Sequence, residues 1–335
     1  MRQLKDNEYA LLESLCQLSQ EELKSTLATF LKQKYKKVIN TKDYLYAIGD
    51  IPIALCAHMD TVFPKPPKNC EIFYDRKKGV IWSPRGLGAD DRAGVFAIIQ
   101  LILEGLRPHI IFTTDEEKGC LGASELAKKK SPFSDLRYII QLDRRGHDDC
   151  VFYECDNPEF TKYVENFGFV EAIGSFSDIY DLCPSWKVAG VNLSIGYINE
   201  HTSSEILFVG PMLNTISKVK KMLAQPINKI PKFEFIPLIT HYKNCCYAYP
   251  LEDDDDDTFY DSTGFQCQCH SCKNIYNSEE CLPVTGVEGN HYFLCIDCLA
   301  EMDNSTLKFC NVCGEAFEPI GPKDLTCIEC RRRFK

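Results

Sequence analysis

Between residues 36 and 200, short apolar runs rich in β-branched residues take turns with segments of helical periodicity, and this alternation limits the fold most tightly. YLYAI, IPIALCA, HIIFTT, YIIQL and VNLSIG are the clearest strands; several are apolar throughout, as strands buried on both faces tend to be. Helical candidates lie among them at 91–106, 121–130 and 157–166, with a last one at 211–224. Residues 7–34 read as one leading helix, with Leu11, Leu12, Leu15, Leu23, Leu27 and Leu31 near helical period. The alternation predicts an α/β fold: a three-layer α/β/α sandwich around a mixed, largely parallel sheet.

A length of 335 residues suits more than one domain. Residues 1–225 carry the α/β pattern. Residues 226–264, with prolines, the adjacent Cys245 and Cys246 and an acidic run from Glu252 to Asp257, predict a mobile connector. Residues 265–335 predict a cysteine-rich domain, because ten of the nineteen cysteines fall there, mostly in C-x-x-C pairs with metal-ligand spacing. That clustering argues against a disulfide scaffold. The start, MRQLKDNEYA, has no apolar core of a signal peptide, and the apolar stretch Val95–Leu103 is too short to cross a bilayer. A cytoplasmic protein without membrane attachment is expected, and the net charge of −10 argues against a chain built to coat nucleic acid.

Five segments place acidic or histidine side chains at or just beyond strand ends, where open α/β sheets form ligand sites. They are His58-Met59-Asp60-Thr61 after IPIALCA, Gly88 to Gly94 with Asp90-Asp91, Asp115-Glu116-Glu117 after HIIFTT, Asp143 after YIIQL, and Tyr197 to Thr202 with His201. Each has an ordinary explanation alone. His58 could be a satisfied polar group, Asp90-Asp91 a helix cap, Glu116-Glu117 a solvated loop and Asp143 a turn residue. Their recurrence after successive strands is what demands a common cause. Carboxylates converging on one sheet edge repel one another unless a cation sits among them. Imidazoles with carboxylates suit zinc, and paired ions need a shared carboxylate plus one free carboxylate as base.

AHMDT, GLGADDRAG, TTDEEKG, QLD and the late His201 resemble the signature series of the co-catalytic zinc exopeptidases, the superfamily of peptidase T, the carboxypeptidase-G and aminoacylase type and the leucyl-aminopeptidase type. The resemblance covers about residues 50–225. It implies that His58 and Asp143 hold one zinc, Glu117 and His201 the other, and that Asp90 bridges both. It further implies that Asp60 orients the His58 ring and that Glu116 is the general base, so that a peptide or amide bond is hydrolysed. Cobalt or manganese suits the same donors. Only 57 residues lie between Asp143 and His201, which leaves no room for the lid of the carboxypeptidase branch. Ser177 and Asp178, in Gly174-Ser175-Phe176-Ser177-Asp178, resemble a substrate-pocket loop and read equally well as a helix start. Tyr197 reads more readily as a packing residue than as a substrate contact.

In the tail, Cys269 and Cys272 pair with Cys295 and Cys298 across 22 residues, and Cys310 and Cys313 with Cys327 and Cys330 across 13. Two quartets of thiolates predict two structural zinc ions in a zinc-ribbon domain, with Cys267, His270, Cys281 and His291 as substitute ligands for the first. Ribbons of this kind and the basic tip Arg331–Arg333 suit a protein or nucleic-acid partner. The expected activity is therefore that of an aminopeptidase-type exopeptidase on short peptides. The alternatives are a deacylase of N-acyl amino acids or peptidoglycan fragments, and a zinc-ribbon adaptor on a vestigial hydrolase scaffold.

Overall fold

The computed structural model describes residues 3–68, 71–174, 176–238, 266–277, 281–285, 291–295, 298, 307–309 and 316–319. The chain divides into two compact units, residues 1–238 and 239–335.

The first unit opens with a helical pair, α1 (Asp6–Cys16) and α2 (Gln20–Lys34). The single helix expected over 7–34 is thus broken. Ser19 starts a new one through a capping box: its hydroxyl accepts the Glu22 N–H (3.3 Å) and the Glu22 carboxylate accepts the Ser19 N–H (2.9 Å). Next come β1 (Lys37–Asn40), β2 (Tyr44–Ile48), β3 (Ile51–His58), β4 (Phe73–Asp75), β5 (Val80–Trp82) and α3 (Ala89–Leu103). They are followed by β6 (Pro108–Thr113), α4 (Leu121–Ala127), β7 (Tyr138–Arg144), β8 (Asp149–Val151), α5 (Pro158–Glu165), β9 (Val170–Glu171) and α6 (Asp178–Trp186). Then β10 (Gly190–Ser194), β11 (Tyr197–Ile198), β12 (Ile206–Phe208) and α7 (Val209–Leu223) complete the unit.

Eight strands form one mixed sheet in the order β1-β2-β6-β3-β7-β10-β8-β9. Its centre, β6-β3-β7-β10, is parallel throughout. These strands bury both faces, which is why the sequence shows unbroken apolar runs there. Ile53, Leu55 and Ala57 of β3 face a large core shared with α1, α3 and α7, while Ala54 and Cys56 face a smaller one shared with α4 and α6. Helices therefore cover both sides, and the expected three layers are present. A second, antiparallel sheet, β11-β12-β5-β4, carries the hairpin that leads into α3.

Residues 226–238, expected to begin the connector, belong to this unit instead. Arg137 O accepts the Phe233 N–H (3.0 Å), Phe233 O accepts the Ala189 N–H (3.0 Å), and Ile230 and Phe233 are buried. Apolar side chains among the prolines gave this stretch a face to bury. The rest of the expected connector, 239–264 with its acidic run, lies outside the described residues. Among the described residues no helix is long and apolar enough to cross a membrane.

In the second unit, β13 (Gln266–Gln268) and β14 (Ile275–Asn277) form a hairpin whose turn holds Cys269 and Cys272. A four-stranded sheet has the order β16-β15-β18-β17, from β15 (Cys281–Thr285), β16 (His291–Cys295), β17 (Lys308–Phe309) and β18 (Ala316–Phe317).

Candidate functional site

The parallel strands end at one rim. β3 delivers His58, and β7, its neighbour in the sheet, delivers Asp143, placing His58 Nε2 3.3 Å from Asp143 Oδ1. Asp90 enters from the start of α3, 2.9 Å from the same nitrogen. Its other oxygen, Oδ2, lies 3.2 Å from His201 Nε2, and Glu117 Oε2 lies 2.9 Å from that ring. Glu117 and Glu116 sit on a short 3₁₀ turn (Glu116–Lys118) just beyond β6. Two three-donor clusters result: His58, Asp90 and Asp143; and Asp90, Glu117 and His201, each with ligand atoms within 4.8 Å of one another. Asp90 is common to both. Glu116 belongs to neither and lies 4.0 Å from His58 Nε2.

Asp60 performs two tasks. Its Oδ1 is 3.2 Å from His58 Nδ1, and its two oxygens accept the backbone N–H groups of Glu116 (3.0 Å) and Glu117 (3.1 Å). One side chain thus ties the end of β3 to the turn after β6. Tyr197 is buried, and its hydroxyl donates to Asp143 Oδ1 (3.1 Å). Ser177 precedes α6, but its hydroxyl donates to Asp143 Oδ2 (2.8 Å) rather than capping the helix. Asp178 is fully buried and accepts from the Thr113 hydroxyl (2.5 Å). Neither Ser177 nor Asp178 faces solvent, so the substrate-loop expectation finds no open surface at these side chains; Ser175 lies outside the described residues.

Two further acids shape the site: Asp91, which the sequence offered only as a member of the Asp90-Asp91 pair, and Glu205, which it did not single out. Asp91 joins Asp90 through a cis peptide, is fully buried, and accepts the His58 N–H (3.2 Å) and the Gly94 N–H (2.9 Å). Glu205, four positions after His201 and equally buried, accepts the N–H groups of Leu87 (3.1 Å), Gly88 (2.6 Å) and Asp90 (3.0 Å). Only the H-x-x-x-E spacing could have drawn attention to Glu205.

The electrostatics call for positive charge. Burial pushes Glu116 up to about 9, and the nearby carboxylates add to it against the opposing pull of His58. Burial and repulsion from Asp90 hold Glu117 at about 7. His201 is drawn up to about 9, chiefly by its hydrogen bond to Asp90. Burial works against a charged His58, yet Asp143, Asp60 and Asp90 hold its pKa well above the ordinary value. The upward pull on both imidazoles marks the negative field a cation would meet, and metal binding displaces protons from such donors. Glu117 Oε1 is buried and accepts no hydrogen bond among the described residues. An open carboxylate oxygen, one imidazole per cluster and a shared aspartate are a donor set that fits a pair of divalent ions.

In the second unit, the thiols of Cys269, Cys272, Cys295 and Cys298 converge within 4.8 Å of one another. Cys269 is lowered to about 6: burial opposes this, but backbone N–H groups of Cys295, Cys272 and Ser271 prevail. A thiolate is the form that binds metal. The quartet Cys310, Cys313, Cys327 and Cys330 and the side chains of Cys267, Cys281 and His291 lie outside the described residues.

A parallel-centred sheet that gathers two donor clusters around one aspartate, with a glutamate outside both, is an arrangement that suits a pair of metal ions and a general base. Residues 39–167 match the model of peptidase family M28. Among solved structures, a tripeptidase from Staphylococcus aureus is similar at 16% identity, covering 64% of this chain and 96% of its own, with a TM-score of 0.51. Aminopeptidase PepT from Bacillus cereus aligns at 15% identity over 64% and 97% of the two chains (TM-score 0.51). An aminopeptidase from the archaeon Desulfurococcus kamchatkensis does so at 15% over 67% and 96% (TM-score 0.53). These likenesses speak to the fold. No curated protein matches the sequence.

Proposed function

We propose that the chain is a zinc-dependent exopeptidase of the aminopeptidase type that acts on short peptides. The observation that carries this reading is Asp90, whose two oxygens face two histidines in separate donor clusters while Glu116 stays outside both. His58, Asp90 and Asp143 would hold one zinc, and Asp90, Glu117 and His201 a second. Bound there, the ions would polarise the scissile carbonyl and acidify a water. Glu116 takes the proton from that water and returns it to the leaving amine. Asp60 keeps the His58 ring turned toward Asp90 and steadies the turn that bears Glu116. The tripeptidase and aminopeptidases of the same fold favour short peptides as substrates and the amino end as the point of attack. A structural zinc on Cys269, Cys272, Cys295 and Cys298 completes the proposal.

The test is Glu116→Gln in the zinc-loaded protein. Turnover of short peptides and amino acid anilides is expected to fall by about 10²–10⁴-fold, with zinc content unchanged by metal analysis. Hydrolysis at the parent rate would remove Glu116 from the role of base.

A further inference from the structure

Glu116 belongs to neither donor cluster, so a bound ion would not orient its carboxylate. Its main chain is fixed. Asp60 accepts the Glu116 N–H, and Glu116 O accepts the N–H groups of Gly119 (2.9 Å) and Cys120 (2.8 Å). A main-chain anchor still leaves the side-chain torsions of a glutamate several staggered choices, and proton transfer needs one of them held.

The Cys120 thiol reaches that carboxylate. It donates to Glu116 Oε1, with 3.6 Å between sulfur and oxygen. The other oxygen, Oε2, is the one 4.0 Å from His58 Nε2. Holding Oε1 therefore leaves Oε2 turned toward the donor clusters.

Local structure puts the thiol there. The chain from Glu116 folds through its 3₁₀ turn, and Cys120 takes left-handed backbone angles (φ 54°, ψ 34°) as it starts α4. Both side chains are buried, away from competing water. Burial, with Asp178 and Glu116 adding to it, pushes the Cys120 thiol far up, so the S–H form that can donate is the one present. A thiol is a weak donor, and an ionised acceptor is where such a donor gains most.

Cys120 also packs in the smaller core, among Ile111, Ala123 and Leu126. Packing alone would accept Ala at least as well as Ser, because a hydroxyl gains nothing from apolar neighbours. Holding Glu116 requires the donor.

We propose that Cys120 is a positioning residue for the reaction: its thiol holds one oxygen of Glu116 so that the other stays aligned with the two donor clusters. The proposal rests on the reading of Glu116 as the base, because a hold on this side chain bears on turnover only if Glu116 moves the proton.

The experiment uses the full zinc-loaded chain, with kcat and KM for a short peptide and zinc content measured for each variant. Cys120→Ala is expected to lower kcat about 3–10-fold with KM and zinc content at parent values, and Cys120→Ser to recover kcat to within about twofold of the parent. An Ala variant that turns over as fast as the Ser variant or faster overturns the proposal, as does a fall in kcat that tracks loss of zinc. A second readout needs no turnover. The S–H stretch of Cys120, isolated as the difference between Raman spectra of the parent and of Cys120→Ala, is expected below the position of an unbonded thiol and to rise to it in Glu116→Leu. A band at the unbonded position in the parent overturns the proposal and leaves the base reading standing if Glu116→Gln is inactive. Hydrolysis at the parent rate by Glu116→Gln sinks the base reading, and the positioning role with it, wherever the band lies.

Discussion

Asp90 owes its position to acids that touch nothing reactive. Glu205 uses both carboxylate oxygens on the backbone of 87–90, and Asp91 fastens the same turn to the His58 peptide. The segments bearing His58, Asp90 and His201 are thereby held at fixed offsets before any ion arrives. Glu205→Gln keeps the shape but exchanges one accepting oxygen for an amide that can only donate, facing N–H groups. Zinc affinity is expected to drop about 10–100-fold, read by competition with a chelator, with secondary structure retained by circular dichroism. Parent-like affinity would show that the backbone turn holds without this tether. His58, Glu117 and Asp143 stood out in the sequence because each lies at or just beyond the end of an apolar strand, whereas Asp90 opens α3 and His201 follows the short β11. The roles of Asp91 and Glu205 were not legible, since their partners are main-chain N–H groups that carry no sequence signature. Ser177, which read equally well as part of a substrate-pocket loop or as a helix start, stands before α6 with its hydroxyl on Asp143.

The elements followed hydrophobic pattern wherever the pattern was long. β2, β3, β6, β7 and β10 lie where their apolar runs predicted, and so does α3, whose faces are nearly all buried. Period alone could not see the break between α1 and α2, because leucines continue on both sides of Ser19. The strap at 226–238 was missed because prolines suggest a linker unless the apolar residues between them have somewhere to go. Asn157 shows how that strap is anchored. Its Oδ1 caps α5 by accepting the Phe160 N–H (3.1 Å), and its amide donates to Glu234 O (2.9 Å). Asn157→Ala removes both bonds and is expected to cost about 1–2 kcal/mol in urea unfolding. A loss of only a few tenths would mean that the cap and the anchor are replaced by solvent.

At the scale of the whole molecule, the donor clusters around Asp90 and the four converging thiols fall in separate compact units. Cys269 Sγ accepts the Cys295 N–H (3.3 Å), so this thiol joins the hairpin knuckle to β16. Cys269→Ser is expected to lower bound zinc by about one ion per chain and to make the second unit susceptible to proteolysis. Peptide turnover by the first unit should persist. If turnover disappears with that zinc, the two units are functionally coupled rather than merely joined. The first unit ends at residue 238 rather than at 225, because its end depends on tertiary packing that composition does not carry. One consequence follows from His58 and Asp143 riding on adjacent strands. Neighbouring strands are spaced about 4.8 Å apart by their hydrogen bonds, so the gauge of the reacting centre is set by the sheet's own pitch. The loops around it do not enter that spacing, which the ladder between β3 and β7 fixes.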